Sequence, residues 1–269
     1  MPTLVRLTRW LLLPLLLTGC AKKAADTPAP APTMQLREAG GELGRILTDG
    51  AGHTLYYDAR DVRGTGTVCA TGCPTAWPAL DGGTGALRLG TGLDTADFRF
   101  QTTGTTRLLT YRGWPLYRRA NEATNVATAD GEDGHYAVQP GATVTVANAP
   151  FLDRSTNPGT LLPAAPYLTD GRGRTLYTFA LDARAPTTQA TNCLGQCLIE
   201  WPTYATNAPT VVPTAVRATD FSALLRPEGQ QLIYKGQPLY YWYGEAGTRG
   251  FVGCHHVDEF GGIWLVARP

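Results

Sequence analysis

Cys254, His255 and His256 form the densest group of potential metal ligands in the chain, and Asp258 follows two positions later. Thiolates, imidazoles and carboxylates are the side chains that bind copper, zinc and iron, so the group indicates a metal or haem site. Neighbouring side chains of an extended strand point to opposite faces, so both histidines could bind one ion only if the backbone turns between them. The other interpretation is a polar loop with a partly buried thiol.

A second candidate for chemistry is a tyrosine followed five positions later by an acid, which recurs four times at intervals of about 60 residues. The pairs are Tyr56 and Asp61, Tyr117 and Glu122, Tyr177 and Asp182, and Tyr240 and Glu245. A catalytic group is rarely needed four times, so the repetition favours a scaffold in which the tyrosine packs inside and the acid caps the following turn. The aromatic run from Tyr240 to Tyr243 predicts either a strand buried on both sides or a platform for a sugar, haem or quinone.

Two Cys-x3-Cys pairs, each followed by Trp-Pro, occupy the same place in the two halves of the chain. They are Cys69 with Cys73, and Cys193 with Cys197. In an exported protein each pair predicts a local disulfide that ties down a loop. The alternative is soft-metal binding, because thiolates select Cu(I).

Each repeat opens as a β-hairpin, with a short apolar or β-branched run, a glycine-containing turn and then Leu-Tyr. Alternate repeats carry the cysteine pair, so the chain is a duplicated duplication. The predicted fold is all-β, with two homologous small β-sandwich or barrel-like lobes, each a tandem of hairpin repeats. Lobe 1 is expected over residues 37–146 and lobe 2 over 166–269, joined by a linker over 147–165 that is rich in Pro, Asn, Gly and Ser.

The N-terminus predicts a lipoprotein signal peptide over residues 1–19, with Arg6 and Arg9 before an apolar stretch too short to span a bilayer. Leu-Thr-Gly-Cys20 resembles a bacterial lipobox, which implies lipidation of Cys20. Ala21 in place of Asp favours the outer membrane. Residues 20–36, with alternating Ala and Pro, are expected to form a disordered tether. The alternative is an ordinary cleaved signal.

A formal net charge of +1 with interspersed acids and bases argues against a nucleic-acid partner. The sequence has no Gly-x-Ser-x-Gly, no His-Glu-x-x-His, no phosphate loop and no dinucleotide fingerprint, so an enzyme is the less favoured class. The expected partners are the membrane, through the lipid, and an envelope protein or polysaccharide.

The stretch from Tyr177 through Phe179 to Asp182, with the cysteine pair and Trp-Pro after it, resembles bacterial secreted-repeat lipoproteins with a Tyr-x-aromatic-x-x-Asp motif. Lobe 1 departs from this pattern, because Asp58 and Arg119 stand at the aromatic positions. The second repeat of both lobes also has Glu in place of Asp. The resemblance implies an envelope-anchored repeat protein and no particular reaction.

Two main functions are therefore expected, beside a third, carbohydrate binding by the aromatic strands around Trp242. The first is a lipid-anchored protein of the bacterial cell envelope that acts as a non-enzymatic binding or structural module without a cofactor. The alternative is a redox lipoprotein that holds copper or haem in lobe 2 through Cys254, His255 and His256, helped by Tyr240 and Trp242.

Overall fold

A computed structural model describes residues 32–39, 43–64, 74–103, 106–182, 191–227 and 229–269. The predicted signal peptide, the lipidation site Cys20, most of the tether, and the pair Cys69 and Cys73 lie outside the described residues. Predictions about them stay predictions.

The described residues form short strands and one short helix, α1 (Gln196–Glu200). The strands of lobe 1 are β1 (Thr33–Glu38), β2 (Arg45–Asp49), β3 (Tyr56–Asp58), β4 (Arg88–Leu89), β5 (Phe98–Thr103), β6 (Thr106–Tyr111), β7 (Trp114–Pro115) and β8 (His135–Ala137). Those that follow are β9 (Val144–Asp153), β10 (Thr160–Asp170), β11 (Tyr177–Phe179), β12 (Phe221–Arg226), β13 (Gly229–Tyr234), β14 (Gln237–Pro238), β15 (Val257–Glu259) and β16 (Gly262–Val266). The all-β prediction is confirmed, and the sheets of the described residues are small and separate, with no closed barrel.

The two lobes repeat one arrangement of sheets. The antiparallel sheet β5–β6–β7 corresponds to β12–β13–β14, and the pair β3–β8 corresponds to β11–β16, which is extended by β15. Within each lobe the two repeats meet at an antiparallel bridge between tyrosines, Tyr56 with Tyr117 and Tyr177 with Tyr240. The two amides of each bridge donate to the partner's carbonyl at 2.8–2.9 Å, so each bridge marks the pseudo-two-fold axis of its lobe.

The long hairpin of β9 and β10 occupies the segment 147–165 that was predicted to be a linker. Its register runs from Val144 opposite Asp170 to Asp153 opposite Thr160, where the sequence composition indicated a loop. The physical reason is an alternation inside the segment: Ala147, Ala149 and Phe151 are buried, while the residues between them are not. Strand β1 pairs with β2 in the same antiparallel way, so β9 opens lobe 2 as β1 opens lobe 1.

The last residues of the predicted tether, 33–36, belong to strand β1. Met34 is buried and lies opposite Asp49 of β2, because an apolar side chain at this point can pack into lobe 1.

The apolar core runs through both lobes and the hairpin between them. One continuous cluster contains Tyr57 and Trp114 of lobe 1, Phe151 of β9, and Phe179 and Trp264 of lobe 2. The amide of Val146 on β9 donates to the Tyr57 hydroxyl at 3.1 Å, which ties the hairpin to lobe 1. Among the described residues, none of the helical segments has the length and apolar content needed to cross a membrane.

Candidate functional site

The repeated tyrosines and acids of lobe 1 form crossed pairs. The Tyr56 hydroxyl donates to Glu122 Oε1 at 2.7 Å, and the Tyr117 hydroxyl donates to Asp61 Oδ2. Each tyrosine therefore bonds the acid of the other repeat, not its own. Both phenol rings are fully buried.

Lobe 2 repeats the crossing. The Tyr177 hydroxyl donates to Glu245 Oε1, and the Tyr240 hydroxyl donates to Asp182 Oδ2 at 2.6 Å. Burial raises the pKa of Glu245 to about 7, against the opposing effect of the hydrogen bonds from Tyr177 and from the Gly253 amide. Burial likewise raises the pKa of the Tyr177 hydroxyl.

These contacts assign the motif a structural role. The acids also accept backbone amides of nearby turns, as expected: the Asn192 amide donates to Asp182 at 2.6 Å and the Thr128 amide donates to Glu122 at 2.8 Å. The sequence did not reveal that each acid also accepts a hydrogen bond from the tyrosine of the other repeat. All four carboxyl groups accept a hydrogen bond from a fully buried tyrosine of the other repeat, and Asp61, Asp182 and Glu245 are themselves buried, so these bonds hold the two repeats of a lobe together.

Replacing Tyr240 with phenylalanine is expected to lower the free energy of unfolding by about 1–3 kcal/mol, because the buried Asp182 loses a hydroxyl partner. A double-mutant cycle with Asp182→Asn, measured by urea unfolding, should give a coupling energy above roughly 0.5 kcal/mol. Tyr243→Phe is the control, since the Tyr243 ring is 61% exposed. If the effects of Tyr240→Phe and Asp182→Asn on the free energy of unfolding were additive, the hydrogen bond between these residues would not stabilise the lobe.

The interior next to these tyrosine–acid hydrogen bonds differs between the two lobes. In lobe 2, Trp264 stacks between Phe179, at 4.3 Å between ring centroids, and Trp201, at 3.7 Å. The register of β3 with β8 and of β11 with β16 places Asp58 and His135 of lobe 1 where lobe 2 has Phe179 and Trp264.

The substituted pair of lobe 1 is polar and buried. His135 Nε2 lies 3.3 Å from Asp58 Oδ2, and the imidazole stacks on Trp77 at 3.8 Å between ring centroids. Burial lowers the pKa of His135. Arg60 Nε also donates to the Asp58 carboxylate. The carboxylate that replaces an aromatic ring in lobe 1 is therefore paired with both His135 and Arg60.

The cysteines of lobe 2 follow the prediction. Cys193 and Cys197 form a disulfide at the start of α1, which confirms the local bridge expected there. Cys254 is a free thiol, buried at 2% exposure, and its pKa is raised by burial. A protonated buried thiol is a poor metal ligand, because the thiolate is the form that binds.

The two adjacent histidines are brought together with an acid from a distant strand. His256 Nδ1 lies 2.9 Å from Asp153 Oδ1, and the rings of His255 and His256 are 4.1 Å apart between centroids. Burial, and then the neighbouring His256, lowers the pKa of His255 to about 4. Among the described residues, the grouping of potential ligands contains Asp153, His255 and His256 and does not contain Cys254.

The aromatic run of lobe 2 forms the wall of an open cleft. Only Tyr240 is fully buried; Tyr241 and Trp242 are half-buried, and Tyr243 is 61% exposed. The cleft has a volume of about 190 Å³ and is lined by Arg174, Pro202, Tyr241, Trp242, Tyr243, Glu245 and Gly247. Burial of the whole run, one of the two expected outcomes, is therefore not observed.

Two glycines hold the indole of this cleft in place. A Cβ atom at Gly244 would come within 2.5 Å of the Trp242 ring, and one at Gly253 would come within 2.7 Å of it. Gly253 also lies against Phe251, which is 44% exposed. The Trp242 ring therefore lies close against Gly244 and Gly253, where larger residues would not fit, and this contact positions it before any ligand arrives.

The charges of the cleft wall are paired. Arg174 Nε donates to Asp170 Oδ2 at 2.7 Å, and its guanidinium lies 4.2 Å from the centroid of the Tyr241 ring. The Tyr241 hydroxyl donates to the same carboxylate at 3.0 Å. The wall is therefore rigid and carries no uncompensated cation at Arg174.

Comparisons with known proteins bear on lobe 2. A lipoprotein family described as a secreted repeat of unknown function matches residues 166–205, which include Tyr177, Asp182, the disulfide and Trp201. No curated protein and no solved structure was found to match the chain. A secreted repeat belongs outside the cytoplasm, in the envelope or the extracellular space. Residues 166–205 are therefore similar to a repeat of this secreted-repeat lipoprotein family, the family that the Tyr-x-aromatic-x-x-Asp motif resembles.

Proposed function

We propose that this is a lipid-anchored protein of the bacterial cell envelope, held in the outer membrane, whose lobe 2 binds polysaccharide without converting it. The observation that carries the proposal is the aromatic cleft, where Trp242 is fixed against two glycines beside the exposed Tyr243. Rigid aromatic rings that remain accessible in a cleft are the usual means of binding a ligand at low entropic cost.

The chemistry of the cleft favours a neutral sugar. The C–H face of a pyranose carries a weak positive potential that complements the negative face of an indole or phenol ring. Because Arg174 is already paired with Asp170, the wall offers hydrogen-bonding groups without a free cation for a phosphate or carboxylate. The paired, buried acids of the repeats support binding without hydrolysis, because they are committed to tyrosine hydroxyls.

Lobe 1 supplies an internal comparison. At the positions that correspond to Tyr241, Trp242 and Tyr243, it has Arg118, Arg119 and Ala120. The scaffold is thus shared, while the aromatic surface belongs to lobe 2. Binding is proposed for lobe 2, and lobe 1 is proposed to be a spacer between the lipid and the binding lobe.

The test is sedimentation of the purified full-length protein, in detergent, with insoluble peptidoglycan and separately with cellulose. Trp242→Ala should lower the bound fraction at least about tenfold, as expected for an aromatic residue at the centre of a binding surface. Trp242→Arg, which copies Arg119 of lobe 1, should do the same.

Phe260→Ala is the matched control, because Phe260 is an exposed aromatic residue, at 41%, in the turn between β15 and β16. Equal retention of wild type and Trp242→Ala on both polysaccharides would reject the cleft as the site. The anchor is tested apart from this, since Cys20→Ser should release the protein from the membrane fraction.

A further inference from the structure

The end of β9 lies beside the two histidines that precede β15. Asp153 forms a parallel bridge with His255, and the Arg154 amide donates to the His255 carbonyl at 2.9 Å. The backbone therefore places a carboxylate from the hairpin next to two imidazoles that are about 100 residues away in sequence.

A turn at His256 brings the two rings to the same side of the chain. His256 has φ of 61°, in the left-handed region, whereas continuous strand would direct the rings to opposite faces. The His256 amide donates to the Trp264 carbonyl at 2.8 Å, which holds the turn against β16. As a result, one ligand atom from each of the three residues lies within 4.8 Å of the others.

We propose that Asp153, His255 and His256 bind one divalent transition-metal ion of the Zn²⁺ or Cu²⁺ class. Two imidazoles and a carboxylate are the donor set that such borderline ions prefer, and three protein ligands leave a coordination position open. The His256 side chain is 38% exposed and that of Asp153 is 16% exposed, so an ion can enter from solvent.

The proposed site differs from a thiolate copper centre. Cys254 does not belong to the group, so the donor set has no soft ligand that would select Cu(I). His255 Nδ1 accepts a long hydrogen bond, 3.3 Å, from the Val266 amide, and His255 gives up this weak bond when it binds the ion. Positive charge from Arg268 next to His255 opposes metal binding, and the Asp153 carboxylate offsets part of it.

The experiment is titration of the full-length protein in detergent with Zn²⁺ against a chromophoric chelator. Wild type should bind one equivalent, and Asp153→Asn and His256→Asn should each weaken binding at least about tenfold. Asparagine is chosen at position 256 because it tolerates a positive φ better than most residues. Cu²⁺ electron paramagnetic resonance should show two coordinating imidazole nitrogens in wild type and one in His256→Asn.

The chain offers a matched control in His53, whose Nδ1 lies 3.1 Å from Asp49 Oδ2 without a second histidine beside it. His53→Ala and Cys254→Ser should leave Zn²⁺ affinity within about twofold of wild type. Loss of binding in Cys254→Ser, or equal affinity of wild type, Asp153→Asn and His256→Asn, would overturn the site. Circular dichroism of each variant separates loss of the ligand from loss of the fold. The inference uses no residue of the aromatic cleft, so either proposal can fail alone.

Discussion

Replacing Trp264 with alanine is expected to lower the free energy of unfolding by about 3–5 kcal/mol. The indole is fully buried on β16 and contacts three rings: Phe179 and Trp201 stack on its faces, and Tyr240 meets it edge to face at 5.2 Å between centroids. Removal of the indole leaves a large cavity beside the hydrogen bond of Tyr240 with Asp182. Urea unfolding followed by circular dichroism measures the loss.

Leu225→Ala is the control for Trp264→Ala, since Leu225 is 74% exposed and should change stability by less than about 0.5 kcal/mol. Trp264→Phe should retain a larger part of the stability, because a ring still fills the space between Phe179 and Trp201. A loss below about 1 kcal/mol in Trp264→Ala would show that this stack does not hold lobe 2 together.

Replacing Glu245 with glutamine is expected to remove a pH dependence of stability between pH 4.5 and pH 7. The folded pKa of Glu245 is raised from 4.5 to about 7, mainly by burial. Below pH 4.5 both states are protonated and the stability contribution is complete. Between the two values the unfolded chain ionises first, so stability falls with rising pH, and above about pH 7 the loss is complete.

The expected size of this loss is roughly 3 kcal/mol, at about 1.4 kcal/mol for each pH unit between the two pKa values. Urea unfolding of wild type and Glu245→Gln at pH 4.5 and pH 7.5 measures it, because glutamine cannot ionise. Asp258→Asn, at an exposed carboxylate, is the control. If the free energy of unfolding changed by the same amount between pH 4.5 and pH 7.5 in wild type and in Glu245→Gln, the Glu245 carboxyl group would not be the source of the pH dependence.

The position of Glu245 links scaffold and cleft. Its carboxyl group accepts the Gly253 amide at 3.1 Å, and Gly253 is one of the two glycines beneath Trp242. Ionisation of a buried group at this point therefore acts on the backbone that supports the proposed binding surface. Lobe 1 has the corresponding acid, Glu122, but Arg119 stands where lobe 2 has Trp242, so lobe 1 has no indole at this position.

Several features of the site were accessible from sequence. The four tyrosines and four acids were recognised by their spacing, and the burial of the tyrosines follows from the hairpin pattern that surrounds them. The disulfide between Cys193 and Cys197 was predicted from a short spacing in an exported chain. The condition for joining His255 and His256, a backbone turn, could be stated in advance, although the turn itself could not.

Other features required the folded chain. The hydroxyl–carboxylate partners are 56 to 68 residues apart, and only the antiparallel tyrosine bridges bring them into contact. Asp153 was missed as a neighbour of His256 because it lay in a segment that its composition assigned to a linker. The alternation of Ala147, Ala149 and Phe151 was the available signal for a strand there.

The sequence by itself determined the repeated hairpins and the all-β class, because local periodicity and turn residues act over only a few positions. The division into two lobes stays a prediction. Tertiary structure alone decided which tyrosine meets which acid, which acid meets the histidines, and which aromatic rings of residues 240–243 remain open to solvent. The physical reason is that side chains far apart in sequence become neighbours only when sheets pack, and the packing also determines which faces stay uncovered.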